Sequence, residues 1–140
     1  MRCLVAFALL LAPALTLRAA DIKLTQAGVE VTGISKDALA KLKAAKLDAS
    51  EWARLFRVVV SEGTADEIAA RPSVAGTFSV TETAIRFEAQ FPLTPGVKYR
   101  AMFHPSKLPD GDPKAASAEA DLFIPKPPPG PPVTVAAVYP

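Results

Sequence analysis

Few side chains in this sequence have the types and spacings that chemistry would need. His104 is the single histidine, set between Phe103 and Pro105 at the end of an alternating stretch, an exposed position. Imidazole can serve as a general base or a metal ligand, but a metal site needs several converging nitrogen or sulfur donors. The single cysteine, Cys3, lies near the N-terminus, and no G-x-S-x-G elbow is present to make His104 part of a hydrolytic triad. Asp110 and Asp112 flank Gly111 in PDGDP and could offer oxygens to calcium. Calcium takes about six to eight oxygens, the next acid along the chain is Glu119, and Asp-Gly is first of all a turn signal. Paired carboxylates for hydrolysis would have to come from Glu30, Glu88, Glu119 or Asp121, all on outward strand positions with no pocket to separate their pKa values.

Trp52 could stack on a sugar ring. Leu55 and Phe56, at i+3 and i+4, instead make it the anchor of a helix against a sheet. Phe123 is the one clear outward aromatic on a strand, too little for a sugar-binding platform. The lysines at 36, 41, 43 and 46 form a solvated helix face. The seven glycines are scattered, without a phosphate-binding or dinucleotide pattern. The residues thus define no catalytic, cofactor-binding or metal site, and the expectation is a protein that is not an enzyme.

The N-terminus explains the composition. In residues 1–20, MRCLVAFALLLAPALTLRAA, Arg2 precedes an apolar run from Leu4 to Leu17, and small residues precede Asp21. That is the pattern of a cleaved signal peptide. Cys3 stands before the apolar run rather than at the cleavage point, so no lipid anchor is expected. Of the 16 Lys and Arg residues, Arg2 and Arg18 leave with the signal, and the remaining 14 balance 14 Asp and Glu. The mature chain carries no basic excess that would suit nucleic acid or an anionic membrane. It also has no cysteine, so an exported domain of this kind must be held by its hydrophobic core. The expected location is secreted, periplasmic or at the cell surface.

The elements that would position these residues are mostly strands. Period-two alternation puts Ile85, Phe87, Ala89 and Phe91 on one face, and Val97, Tyr99, Ala101 and Phe103 on another. Phe78 and Val80, Val29 and Val31, and Ala118, Ala120, Leu122 and Ile124 alternate in the same way. The apolar run LFRVVV, 55–60, suits a strand buried on both sides, making six strands in all. Helical spacing appears in 35–48, with Ser35 as N-cap, and in 50–56, capped by Ser50. Thr64 and Glu67 form a capping-box pattern for a third short helix. The expected fold is mainly β, an antiparallel sandwich with a short helical insertion after the first strand.

The most specific stretch is FPLTPGVKYRAMF. Leu93, Pro95, Gly96 and Tyr99 have the L-x-P-G-x-x-Y spacing of a tyrosine corner. From Ser73 to Phe103 the chain resembles bacterial Ig-like modules of exported and surface-layer proteins, which are similar to fibronectin type III domains. The resemblance implies an Ig-like β-sandwich over 21–124, with Tyr99, Trp52, Phe87 and Phe103 serving stability and Leu93, Pro95 and Gly96 shaping the corner. Residues 125–132, PKPPPGPP, form a Pro-rich linker of extended, semi-rigid character. Residues 133–140, VTVAAVYP, alternate like a terminal strand, which either folds back as the last strand of the first sandwich or, the favoured reading, starts a second module. The expected role is structural, adhesive or protein-interacting within a longer exported protein, with an unknown protein or cell-envelope partner. The alternative is a carbohydrate- or calcium-binding accessory module of a secreted enzyme.

Overall fold

A computed structural model describes residues 20–130 of the chain. Residues 1–19 of the expected signal peptide and the strand expected at 133–140 lie outside the described residues. Within them the protein is mainly β, with seven strands in two antiparallel sheets and a few short helices. In chain order these are β1 Asp21–Thr25, β2 Gly28–Thr32, α1 Lys36–Ala45, α2 Ala49–Leu55, β3 Phe56–Val60, α3 Ala65–Ala70, β4 Gly76–Val80, β5 Ile85–Ala89, β6 Lys98–Phe103 and β7 Ala118–Phe123. A single 3₁₀ turn, Pro105–Lys107, follows β6. One sheet has the order β1-β2-β5-β4 and the other β3-β6-β7.

The alternating side chains of both sheets meet in one core. Ile22, Val29, Val31, Ile85 and Phe87 come from the first sheet, and Phe56, Val58, Tyr99, Ala101, Phe103 and Leu122 from the second. Leu39 and Leu42 of α1 and Leu55 of α2 complete it. Leu39 and Leu42 project from the same side of α1, leaving the lysines at 36, 41, 43 and 46 in solvent. The β3 run buries Phe56, Val58 and Val59, so consecutive as well as alternate residues are enclosed. Arg57 lies between them, and its guanidinium donates to the carbonyls of Ala69 and Arg71 at the end of α3. This tethers α3 to the β3 strand.

Four details depart from the sequence reading. The first strand is β1, which alternation does not reveal because Ile22 is its only buried residue. The helical insertion therefore comes after the second strand. The cap of α2 is Asp48 rather than Ser50: the Asp48 carboxylate accepts from Glu51 N–H at 2.8 Å while Glu51 Oε2 accepts from Asp48 N–H at 2.9 Å. Ser50 instead donates to Asp48 at 2.7 Å. Phe91 does not continue the inner face of β5, because the strand ends at Ala89 and the bend after it leaves Phe91 71% exposed. His104 is half-buried rather than exposed. Ser35 and the Thr64–Glu67 capping box stand where expected.

Candidate functional site

The turn between β5 and β6 organises one end of the molecule. Tyr99, second residue of β6, is 6% exposed, and its hydroxyl accepts a hydrogen bond from Thr94 N–H at 2.9 Å. Val97 N–H donates to Thr94 C=O at 3.3 Å, closing the turn. Leu93 packs half-buried against the core, and Pro95 is exposed. Gly96 has φ +84°, a left-handed conformation that glycine adopts without strain. Its N–H donates to Ile124 C=O at 2.8 Å, joining the turn to the end of β7.

The aromatic core lies behind this corner. Phe56 sits edge-on to Phe78, Phe87 and Phe103, with centroids 5.9, 6.3 and 6.3 Å away. Phe78 also contacts Phe87 at 5.0 Å and stacks on Trp52 at 4.8 Å with only 4° between the ring planes. Trp52 thus joins α2 to β4. Offset and edge-to-face contacts of this kind are worth about 0.5–1.5 kcal/mol beyond their buried area. The sequence does not mark Phe56 and Phe78 as stability-bearing. Their part depends on strands from different sheets meeting, which no local spacing records.

The groups with chemical potential are held in structural pairs. Asp110, at φ +58°, binds Lys41 at 2.7 Å across the gap between the β6–β7 connection and α1. That hydrogen bond and the lysine's charge hold the Asp110 carboxyl below its ordinary range and raise Lys41. Asp112 caps its own turn by accepting from Lys114 N–H at 2.9 Å. On the exposed face of the second sheet, Arg100 bonds Asp121 at 2.8 Å and lowers that carboxyl. Glu30 is half-buried and lies 3.6 Å from Arg86, while Glu88 and Glu119 are exposed. These carboxylates are not brought together. Among the described residues there is no cluster of three or more His, Cys, Asp or Glu groups that could hold a metal.

His104 Nδ1 lies 2.8 Å from Ser117 Oγ, a pair that the sequence, with the two residues 13 positions apart, does not announce. Ser117 just precedes β7, and the β6–β7 pairing of Phe103 with Ala118 brings the two residues side by side. Among the described residues no carboxylate bonds the imidazole to orient it.

A different concavity lies at the end organised by Tyr99. Leu24, Ala27, Ala89, Phe91, Leu93 and Ile124 line an apolar groove of about 770 Å³. It forms where the two sheets stop, at the close of β1, β5 and β7. Because β1 runs from Asp21 to Thr25, the described chain begins at one end of the molecule and reaches Ile124 at the other. Pro125–Gly130 then continues from Ile124 without regular secondary structure.

Comparison with known proteins yields no matching family model, no matching curated protein and no matching solved structure. No helix among the described residues is long and apolar enough to cross a membrane.

Proposed function

We propose that the chain is an exported, non-enzymatic Ig-like β-sandwich module with a structural, adhesive or protein-interaction role, forming the N-terminal part of a longer extracytoplasmic protein. The observation that carries this reading is the strand order. Lettered A to G along the chain, β1-β2-β5-β4 and β3-β6-β7 become ABED and CFG, the arrangement of constant-type Ig domains. The Tyr99–Thr94 hydrogen bond supports it independently, since the tyrosine corner of such domains lies at the start of strand F and reaches back to the E–F turn. Helices α1 and α2 stand between strands B and C as an addition to that pattern.

The passive role is supported by how the polar groups are used. Asp48 and Glu67 cap helices, Asp110 and Asp121 pair with cations, and Arg57 ties down α3. Presentation of loops on a disulfide-free core is the mechanism: the rigid body positions the surface, and the Pro-rich linker sets the distance to the next module. The beginning and the exit of the described chain at opposite ends suit a module placed in series with others.

The test is the natural product itself. The exported protein, isolated from its producing cell, should begin near Asp21, and its intact mass should exceed that of 21–140. A thermal-shift screen of the same protein against calcium and polysaccharides should give no stabilisation. A clear upward shift with either would overturn the passive reading in favour of the accessory binding module.

A further inference from the structure

The chain has a single Asp–Pro bond, Asp112–Pro113, and it lies in the connection between β6 and β7. A bond to proline is a tertiary amide, whose nitrogen is more basic than that of an ordinary peptide and leaves more readily once protonated. An aspartate before it adds an internal nucleophile. Its carboxylate can reach its own backbone carbonyl carbon by closing a small ring through Cγ, Cβ and Cα, with no partner to bring in from solution.

The fold arranges both reacting groups. Asp112, Pro113 and Lys114 are exposed and form a tight turn in which Ala115 N–H donates to Asp112 C=O at 2.9 Å. That donor sits on the oxygen that gains negative charge when the carbonyl is attacked. Lys114 N–H donates to Asp112 Oδ1 at 2.9 Å, which holds the carboxylate over its own turn and leaves Oδ2 as the attacking atom. The neighbouring Asp110–Gly111 bond is held differently. Lys41 of α1 binds the Asp110 carboxylate at 2.7 Å, and Gly111 N–H, which would have to attack that side chain, donates to Leu108 C=O at 2.8 Å. The charged groups beside the Asp112–Pro113 bond are thus the Lys41–Asp110 pair and the solvated Lys114.

We propose that Asp112–Pro113 is a self-cleavage site opened by acid. A proton goes to the Pro113 nitrogen, Asp112 Oδ2 attacks the Asp112 carbonyl carbon, and the carbon–nitrogen bond breaks as proline leaves as an amine. The cyclic anhydride left on Asp112 then takes up one water from solvent. Asp112 ends with two free carboxyl groups, Pro113 becomes a new N-terminus, and nothing is oxidised or reduced. The pieces stay together, because the six residue pairs of β6–β7 bridge the cut. The Lys41–Asp110 pair anchors the loop on one side of it and the His104–Ser117 pair on the other. Since β7 leads into Ile124 and Pro125–Gly130, the cut turns a covalent join to that segment into a strand held by its ladder. This chemistry goes beyond the passive presentation proposed above and does not depend on it.

The test compares the full chain with the free peptide PDGDPKAA, in the same buffer, at the most acidic pH that leaves the Trp52 emission native. Mass spectrometry after denaturation should show one fragment ending at Asp112 and another beginning at Pro113, formed several-fold faster than in the peptide. Size-exclusion chromatography without denaturant should show a single undivided body. Asp112→Asn, which lacks the carboxylate nucleophile, should stay whole, and Pro113→Ala, with a less basic leaving nitrogen, should cleave more slowly. Both positions are exposed, so unchanged Trp52 emission will show that these variants fold. A folded chain that stays intact while the peptide cleaves would overturn the site. Equal rates in chain and peptide would overturn the part given to the turn, and undiminished cleavage in Asp112→Asn would overturn the internal nucleophile.

Discussion

The Tyr99 hydroxyl accepts the Thr94 amide at 2.9 Å, five residues back along the chain, and the same turn is bonded through Gly96 to Ile124 at 2.8 Å. One side chain thus fixes the loop to which the last strand's exit is attached. A buried ring with a satisfied hydroxyl is sensitive to losing that oxygen. Tyr99→Phe should cost about 1 kcal/mol, leaving Thr94 N–H without its partner. Thermal melts should show the drop, and an unchanged midpoint would mean that the corner contributes nothing to stability.

Trp52 is the only tryptophan, and its stack on Phe78 makes it a reporter of the α2–β4 join. Phe78→Ala removes one ring of the stack and an edge contact to Phe56. A half-buried phenylalanine should cost somewhat less than the roughly 3–5 kcal/mol of a fully buried one. The Trp52 emission should shift to longer wavelength in the folded variant as water reaches the indole. A folded variant with unshifted emission would show that the stack does not shield Trp52.

Two helix caps contribute to the acid response, beside the cation-paired Asp110 and Asp121. The Glu51 amide, and after it the Ser50 hydroxyl, holds the Asp48 carboxyl below its ordinary 3.8, and the Thr64 amide holds Glu67 below 4.5. The folded state therefore releases these protons at lower pH than the unfolded chain. Their contribution is fully present above those ordinary values and is lost as pH falls through the depressed ones. Melting temperature should decline on acidification across that window. In Glu67→Gln, which keeps the capping geometry without the charge, the decline should be shallower. An identical slope would remove Glu67 from the acid response.

Glycine positions give a contrast in a single experiment. Gly28 has φ +133°, and a Cβ there would collide with the Phe87 carbonyl oxygen on the neighbouring strand. Gly28→Ala should cost on the order of 2 kcal/mol or more, through backbone strain at that positive φ and a disturbed β2–β5 ladder. Gly130, with nothing among the described residues within 4 Å of such a Cβ, should accept alanine with no change in the denaturation midpoint. Equal midpoints for both variants would contradict the close approach at Gly28.

How far the fold can be read from residues alone depends on how each feature is encoded. Strands β5 and β6 are legible because alternate residues are buried, at Ile85 and Phe87 and again at Tyr99, Ala101 and Phe103. Strand β1 is not, since a single buried residue, Ile22, makes no period. The alternation that would carry Phe91 inward stops two residues early, at a bend whose position depends on where β4 ends its pairing, at Gly76 with Ala89. The tyrosine contact is legible because both partners belong to one short motif. The groove, assembled from β1, β5, the turn after it and β7, is not, and neither is the Phe56 cluster. Each joins residues far apart in sequence, and their juxtaposition exists only after the sheets meet.

The opposed positions of Asp21 and Ile124 also have a mechanical meaning. Tension applied through the two ends would draw β1 back along β2 and β7 forward along β6, each parallel to its own length. Antiparallel ladder bonds lie perpendicular to the strands, so both ladders would be loaded in shear. The five pairs of β1–β2 and the six of β6–β7 would then share the force instead of breaking one after another. A module stretched this way resists pulling as a unit.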